Sequence, residues 1–180
     1  MPKLLEDVEK RLIEATRAEL LEKGLDGLGI RDIAKKCRIS VGTVYNYFPS
    51  KEMLAASVMV SDWNIIISKV EQKCAEAQAA EDGLTGIYNG LKEFAEIYSH
   101  VRGQYSQQHT AIQSYFGRHQ RLVGQLSQII EKMLTRLGYI RTAFPAKFIA
   151  EIIIVAAVDT QYGFQEYMDL IGITLEKLKT

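Results

Sequence analysis

Apolar residues recur every three or four positions along almost the whole chain, and only three prolines interrupt it. That period matches the 3.6-residue turn of an α-helix and excludes the two-residue alternation of half-buried strands. A first helix is predicted from Leu4 to Lys23, with Leu5, Val8, Leu12 and Ala15 at helical spacing. Gly24 stops it as a left-handed cap, and Leu25-Asp26-Gly27-Leu28-Gly29 reads as a turn-like linker. Two short helices follow. Ile30 to Cys37 places Ile30, Ile33, Ala34 and Cys37 on one face. After the break at Arg38-Ile39, Ser40 is placed to N-cap Val41 to Tyr47. Pro49 disfavours helix at Phe48, and Ser50 caps a new start.

From Lys51 one long helix is predicted to about Ala80, with Asp82-Gly83 as its break. Further helices are expected over Leu84 to Val101, over a shorter, bent stretch from Arg102 to Gly117, and over Arg118 to Leu137. Gly138 and Thr142 to Pro145 form the next connection, and two last helices cover about Ala146 to Asp159 and Thr160 to Leu178. The predicted fold is all-α: an N-terminal three-helix helix-turn-helix head on a C-terminal helical bundle of about six helices. Domains are expected at 1–50 and 51–180.

Composition narrows the class. With 180 residues, 47% hydrophobic and 24% charged, the chain can bury a core without metal or disulfide staples. Cys37 and Cys74 are far apart, with no CxxC and no Cys/His cluster, so no metal site and no cofactor is expected. The early acidic residues argue against a signal peptide. The apolar run from Ile149 to Val158 is too short to span a bilayer, so a cytoplasmic protein with no membrane partner is expected. No nucleophile elbow, HExxH or glycine-rich phosphate loop is present, which argues against an enzyme.

The charges balance overall, 22 Lys+Arg against 22 Asp+Glu, but not locally. Arg31, Lys35, Lys36, Arg38 and Lys51 face only Asp32 within one short segment, a net +4 that leaves −4 on the rest of the chain. A basic segment on an acidic body is the pattern of a polyanion-binding head. Two short helices joined by a tight turn in that segment suggest a helix-turn-helix, whose second helix enters the DNA major groove.

The residues there resemble a known family. Ile30-Arg31-Asp32-Ile33-Ala34, followed by Ile39-Ser40-Val41-Gly42-Thr43-Val44-Tyr45-Asn46-Tyr47-Phe48-Pro49-Ser50-Lys51-Glu52, is similar to the TetR family signature, and the match is dense over about residues 11–55. Two positions depart from it. Gly29 stands where a capping Thr or Ser is usual, and Arg38 stands where the turn usually has Gly; a left-handed conformation would cost an arginine about 1 kcal/mol. The resemblance implies a DNA-binding regulator. Thr43, Tyr45, Tyr47 and Lys51 would reach phosphates, with help from amides near the Ser40 cap. Arg31 would contact backbone or bases. Asn46 could pair with adenine, Val41 could touch a thymine methyl, and Gly42 would let the helix approach closely.

The same resemblance implies a homodimer on a palindromic operator and a small-molecule effector held in the body. Phe148, Ile152, Ile153, Ile154, Val155 and Val158, continued by Tyr162, Phe164, Tyr167 and Leu170, make the last two helices the expected interface. Trp63, Tyr88, Tyr98, Tyr105, Phe116, Met133, Asp159 and Tyr162 are the expected pocket residues. The expected function is a repressor released from DNA by its effector. The alternative is a helical adaptor whose head contacts a protein.

Overall fold

A computed structural model describes residues 2–99, 101, 111–139, 143–159 and 161–178. Among these residues there are eight helices and no sheet: α1 (Pro2–Lys23), α2 (Ile30–Lys36), α3 (Val41–Tyr47), α4 (Lys51–Glu76), α5 (Ala80–Ile97), α6 (Ala111–Arg136), α7 (Ala143–Val158) and α8 (Phe164–Glu176). They fall into two compact units. One holds Met1–Ile65 with the described part of Ile97–Gln108; the other holds Ile66–Glu96 with the described part of His109–Thr180. The first unit thus runs beyond residue 50 into α4, whose Leu54, Ala55 and Val58 are fully buried.

In the first unit each short helix begins and ends for a local reason. Gly24 takes φ +69 and its amide bonds Leu20 O, closing α1. α2 starts at Gly29 with no side-chain cap. It ends in a Schellman motif, with Arg38 N–H on Lys35 O and Ile39 N–H on Ala34 O, and this puts Arg38 at φ +54. A non-glycine residue in that region costs about 1 kcal/mol. Ser40 caps α3 by accepting from Thr43 N at 3.0 Å, and Ser50 caps α4 by accepting from Met53 N at 3.1 Å. Leu12, Leu20, Ile33, Val44, Leu54 and Val58 form the core beneath them.

Several boundaries in the other unit differ from the predicted ones. The long helix ends at Glu76, and Asp82-Gly83 lies inside α5 instead of breaking it. Gly83 serves packing there: a Cβ would collide with the Met133 sulfur. Glu81 and Asp82 suit the positive end of the helix dipole in α5's first turn. The actual break, Ala77 to Ala79, has no glycine or proline; Arg136 of α6 donates to the carbonyls of Cys74 and Ala77 and secures the end of α4. On α5, Gly86 and Gly90 continue the close approach, against Lys73 and against Val70 and Ile66.

Residues 102–110 lie outside the described residues, but from Ala111 a single helix continues to Arg136, so no connection separates the stretch before Gly117 from the one after it. α7 begins at Ala143 with Pro145 in its first turn, where the missing N–H costs nothing. α6 and α7 pack together, as do α7 and α8. The last helix starts at Phe164, later than predicted, because Asp159 accepts from the amides of Gln161 and Tyr162 and holds a turn there. Among the described helices, α4 is long and apolar enough to cross a membrane by length and composition alone. It also carries Asp62, which is paired with Arg17.

Candidate nucleic-acid interface

α3 is divided lengthwise. Val44 and Phe48, four residues apart, are buried and anchor the helix to the first unit's core. Val41, Gly42, Tyr45 and Asn46 are exposed, and Tyr47 is half-buried. A Cβ at Gly42 would meet only the Ser40 hydroxyl, at 3.7 Å, so the front of the helix is open. Val41 at 37% and Tyr45 at 45% exposure are large side chains left facing outward on this short helix. Ser40 and Thr43 share a hydroxyl contact of 2.8 Å, and each keeps further hydrogen-bonding capacity. Arg31 is exposed in the first turn of α2, and Lys51 is half-buried in the first turn of α4.

The positive charge of this region is smaller than a count suggests. Lys36 Nζ lies 2.8 Å from Oε1 of Glu19, whose side chain is 1% exposed. Burial pushes the Glu19 carboxyl up. The Lys36 ammonium, with Lys23 and the Gly29 amide, outweighs that and leaves it below its ordinary value. Glu19 in turn raises Lys36 above its own. Lys36 is therefore committed to the protein, and the cations left to meet a polyanion are Arg31, Lys35, Arg38 and Lys51. Glu19 escaped sequence reasoning, although it sits seven residues from Leu12 on the same helix face.

A second polar knot lies in the same unit. Arg17 Nε donates to Asp62 at 2.7 Å, and Tyr98 Oη donates to the other Asp62 oxygen at 2.6 Å. Burial, and then the Asp62 carboxylate, push the Tyr98 phenol well above its ordinary value. Asp62 holds Arg17 above its ordinary value as well, by hydrogen bond and charge against the cost of burial. An acid in the middle of a long, largely apolar helix is the available signal for this knot.

The residues expected to line a pocket are divided between the two units. Trp63 and Tyr98 belong to the unit that holds α3, while Tyr88, Met133, Asp159 and Tyr162 belong to the other. Tyr105 and the Phe116 side chain lie outside the described residues. Tyr88 stacks on Phe164, with ring centroids 3.9 Å apart and planes 13° apart, and Lys92 reaches over its ring. Asp159 is engaged by its turn and by the Tyr167 hydroxyl, which it pushes up to about 12. Tyr162 is 57% exposed and meets Tyr167 edge-on. Met133 lines an open groove of about 310 Å³ with Glu71, Cys74, Ala75, Ile129, Lys132 and Arg136. Cys74 is buried there, and burial pushes its thiol up to about 11.

Residues 12–58 match the family described as "Bacterial regulatory proteins, tetR family". The HTH-type transcriptional regulator YuxN of Bacillus subtilis (strain 168) is 40% identical over 55 residues, which are 31% of this chain and 19% of that protein. The chain therefore spans about a fifth of that curated relative in the matched region. A transcriptional regulator from Rhodococcus sp. RHA1 has the same fold, with TM-score 0.66 and 18% identity over 94% of this chain and 97% of its own. AibR, solved in complex with isovaleryl coenzyme A and operator DNA, is similar at TM-score 0.51 and 14% identity over 92% of this chain and 97% of its own. The likeness to the tetR family of bacterial regulatory proteins thus lies in the helix-turn-helix head, residues 12–58.

Proposed function

We propose that this chain is a DNA-binding transcriptional regulator that represses from a palindromic operator and is released by a small-molecule effector. The observation that carries this reading is the split surface of α3: Val44 and Phe48 buried, with Val41, Gly42, Tyr45 and Asn46 presented outward beside exposed Arg31 and half-buried Lys51. Such a face can lie in a major groove while hydroxyls and cations grip the flanking phosphates. Nothing in this arrangement favours a protein-binding adaptor or an enzyme.

One short recognition helix makes few contacts, so two heads about one helical turn (~34 Å) apart are needed for a selective affinity. Apolar surface for a homodimer is available on the last two helices. Phe148, Val155 and Val158 on α7, with Leu170 and Ile173 on α8, are each more than 40% exposed. Ile153 leaves the expected interface set, because it is fully buried in its own subunit, and Phe164 is stacked beneath Tyr88.

Release would be a population shift, the effector favouring a head spacing that no longer fits successive major grooves. AibR carries both isovaleryl coenzyme A and operator DNA, which supports reading the body here as the effector-binding part; a regulator of this kind would act in the cytoplasm. The test is a mobility-shift assay with the DNA flanking its own gene. Tyr47→Ala and Lys51→Ala should weaken binding to all sequences. Asn46→Ala should relax base preference by about 1–3 kcal/mol at one position of each half-site. Unchanged affinity in folded Tyr47→Ala and Lys51→Ala dimers would remove these contacts from the interface.

A further inference from the structure

Arg38 is the one described non-glycine residue with positive φ. It is the residue after the C-cap of α2, where the Schellman motif calls for a left-handed conformation and where glycine carries no Cβ penalty. It is also exposed, and it stands two residues before Ser40, the cap of the helix whose face is open. Its neighbour in charge, Lys36, is taken up by Glu19, so Arg38 is the exposed cation closest in sequence to the start of α3. The strain is avoidable by glycine, and the side chain is exposed, outside the core. Strained residues persist where the side chain has a use elsewhere.

We propose that Arg38 is a phosphate-binding residue of the helix-turn-helix turn, kept at the expense of the head's own stability. This rests on the DNA-binding reading above and adds to it a contact at the turn between α2 and α3. A guanidinium at this place can grip a phosphate by two parallel hydrogen bonds beside the start of the recognition helix. Because phosphates carry no sequence, the contact should act on any duplex.

The discriminating substitution is Arg38→Gly in the full-length protein, since it relieves the backbone and removes the cation together. Thermal unfolding should rise by about 3 °C. Affinity for a random-sequence duplex a few turns long should fall by about three- to tenfold at low salt, with the slope of log affinity on log salt shallower by about 1 per head. Arg38→Lys, which keeps strain and charge but not the two-pronged grip, should restore the salt slope and lose less affinity than Arg38→Gly, without the gain in stability. Lys51→Ala, measured alongside, separates this inference from the reading it rests on. If Lys51→Ala weakens binding but Arg38→Gly leaves affinity and slope unchanged, Arg38 is no phosphate contact, although the head still binds DNA. If the unaltered protein shows no salt-dependent binding to duplex, both fall together.

Discussion

Tyr98 donates a 2.6 Å hydrogen bond to the carboxylate of Asp62, whose other oxygen receives Arg17. One acid thus ties α1 to α4 and to the residue just beyond α5. Asp62→Ala leaves a partly buried guanidinium without its partner and should cost about 2–3 kcal/mol, less than a fully buried pair because Arg17 keeps some contact with water. Tyr98→Phe should cost about 1 kcal/mol. The Tyr98 phenol is raised above its unfolded value, so its contribution is complete below pH 10.0 and is lost as pH rises toward the higher folded value. Melting curves should show the difference between the unaltered protein and Tyr98→Phe shrinking above pH 10. A constant difference would mean that the hydroxyl contributes nothing.

Two glycines should respond in opposite directions. A Cβ at Gly90 would lie 2.7 Å from Val70 Cγ2 and 3.2 Å from Ile66 Cγ2, and β-branched side chains yield poorly. Gly90→Ala should therefore cost about 1–3 kcal/mol. Nothing lies within 4 Å of a Cβ at Gly124, in mid-helix on α6. Gly124→Ala should add about 0.5–1 kcal/mol. Chemical denaturation of the two variants gives both signs.

Lys36 and Lys51 both belong to the basic segment, but they should behave differently. Lys36→Met strands the buried Glu19 carboxylate and should lower the melting temperature by about 5 °C at neutral pH, with little change in DNA affinity. Glu19 is depressed below 4.5 in the folded state, so the pair's contribution is present above that pH and is lost as pH falls through the folded value. The gap between the variant and the unaltered protein should close in acid. A large loss of DNA affinity in a folded Lys36→Met protein would place Lys36 at the interface instead.

These contrasts mark what could be read without a structure. Periodicity identifies the head because Val44 and Phe48 must face inward if the helix is to pack at all, and Ser40 and Ser50 announce helix starts by local hydrogen bonds. The body is harder to read because its decisive residues act through tertiary contact. Gly83 looks like a break until Met133 occupies the space above it, and Arg136 ends α4 from another helix, 59 residues away in sequence from Ala77. An aromatic residue such as Tyr88 or Tyr98 reads identically whether it will stack, hydrogen-bond or line a cavity. The fate of Lys36 depends on a glutamate in a different helix.

Val155 on α7 is 49% exposed in a helix that carries few polar residues. Val155→Asp places a charge in the proposed twofold interface and should convert the proposed dimer to monomer in light scattering. Loss of the second head should then lower operator affinity by about 100-fold or more. A Val155→Asp protein that remains dimeric would move the interface elsewhere.

The most direct test is the salt dependence of binding to duplex DNA by the full-length protein, followed by fluorescence anisotropy. With about four phosphate contacts per head and two heads, log affinity should fall against log salt with a slope near −7. A flat response, or no binding to any duplex at low salt, would contradict a DNA-binding head.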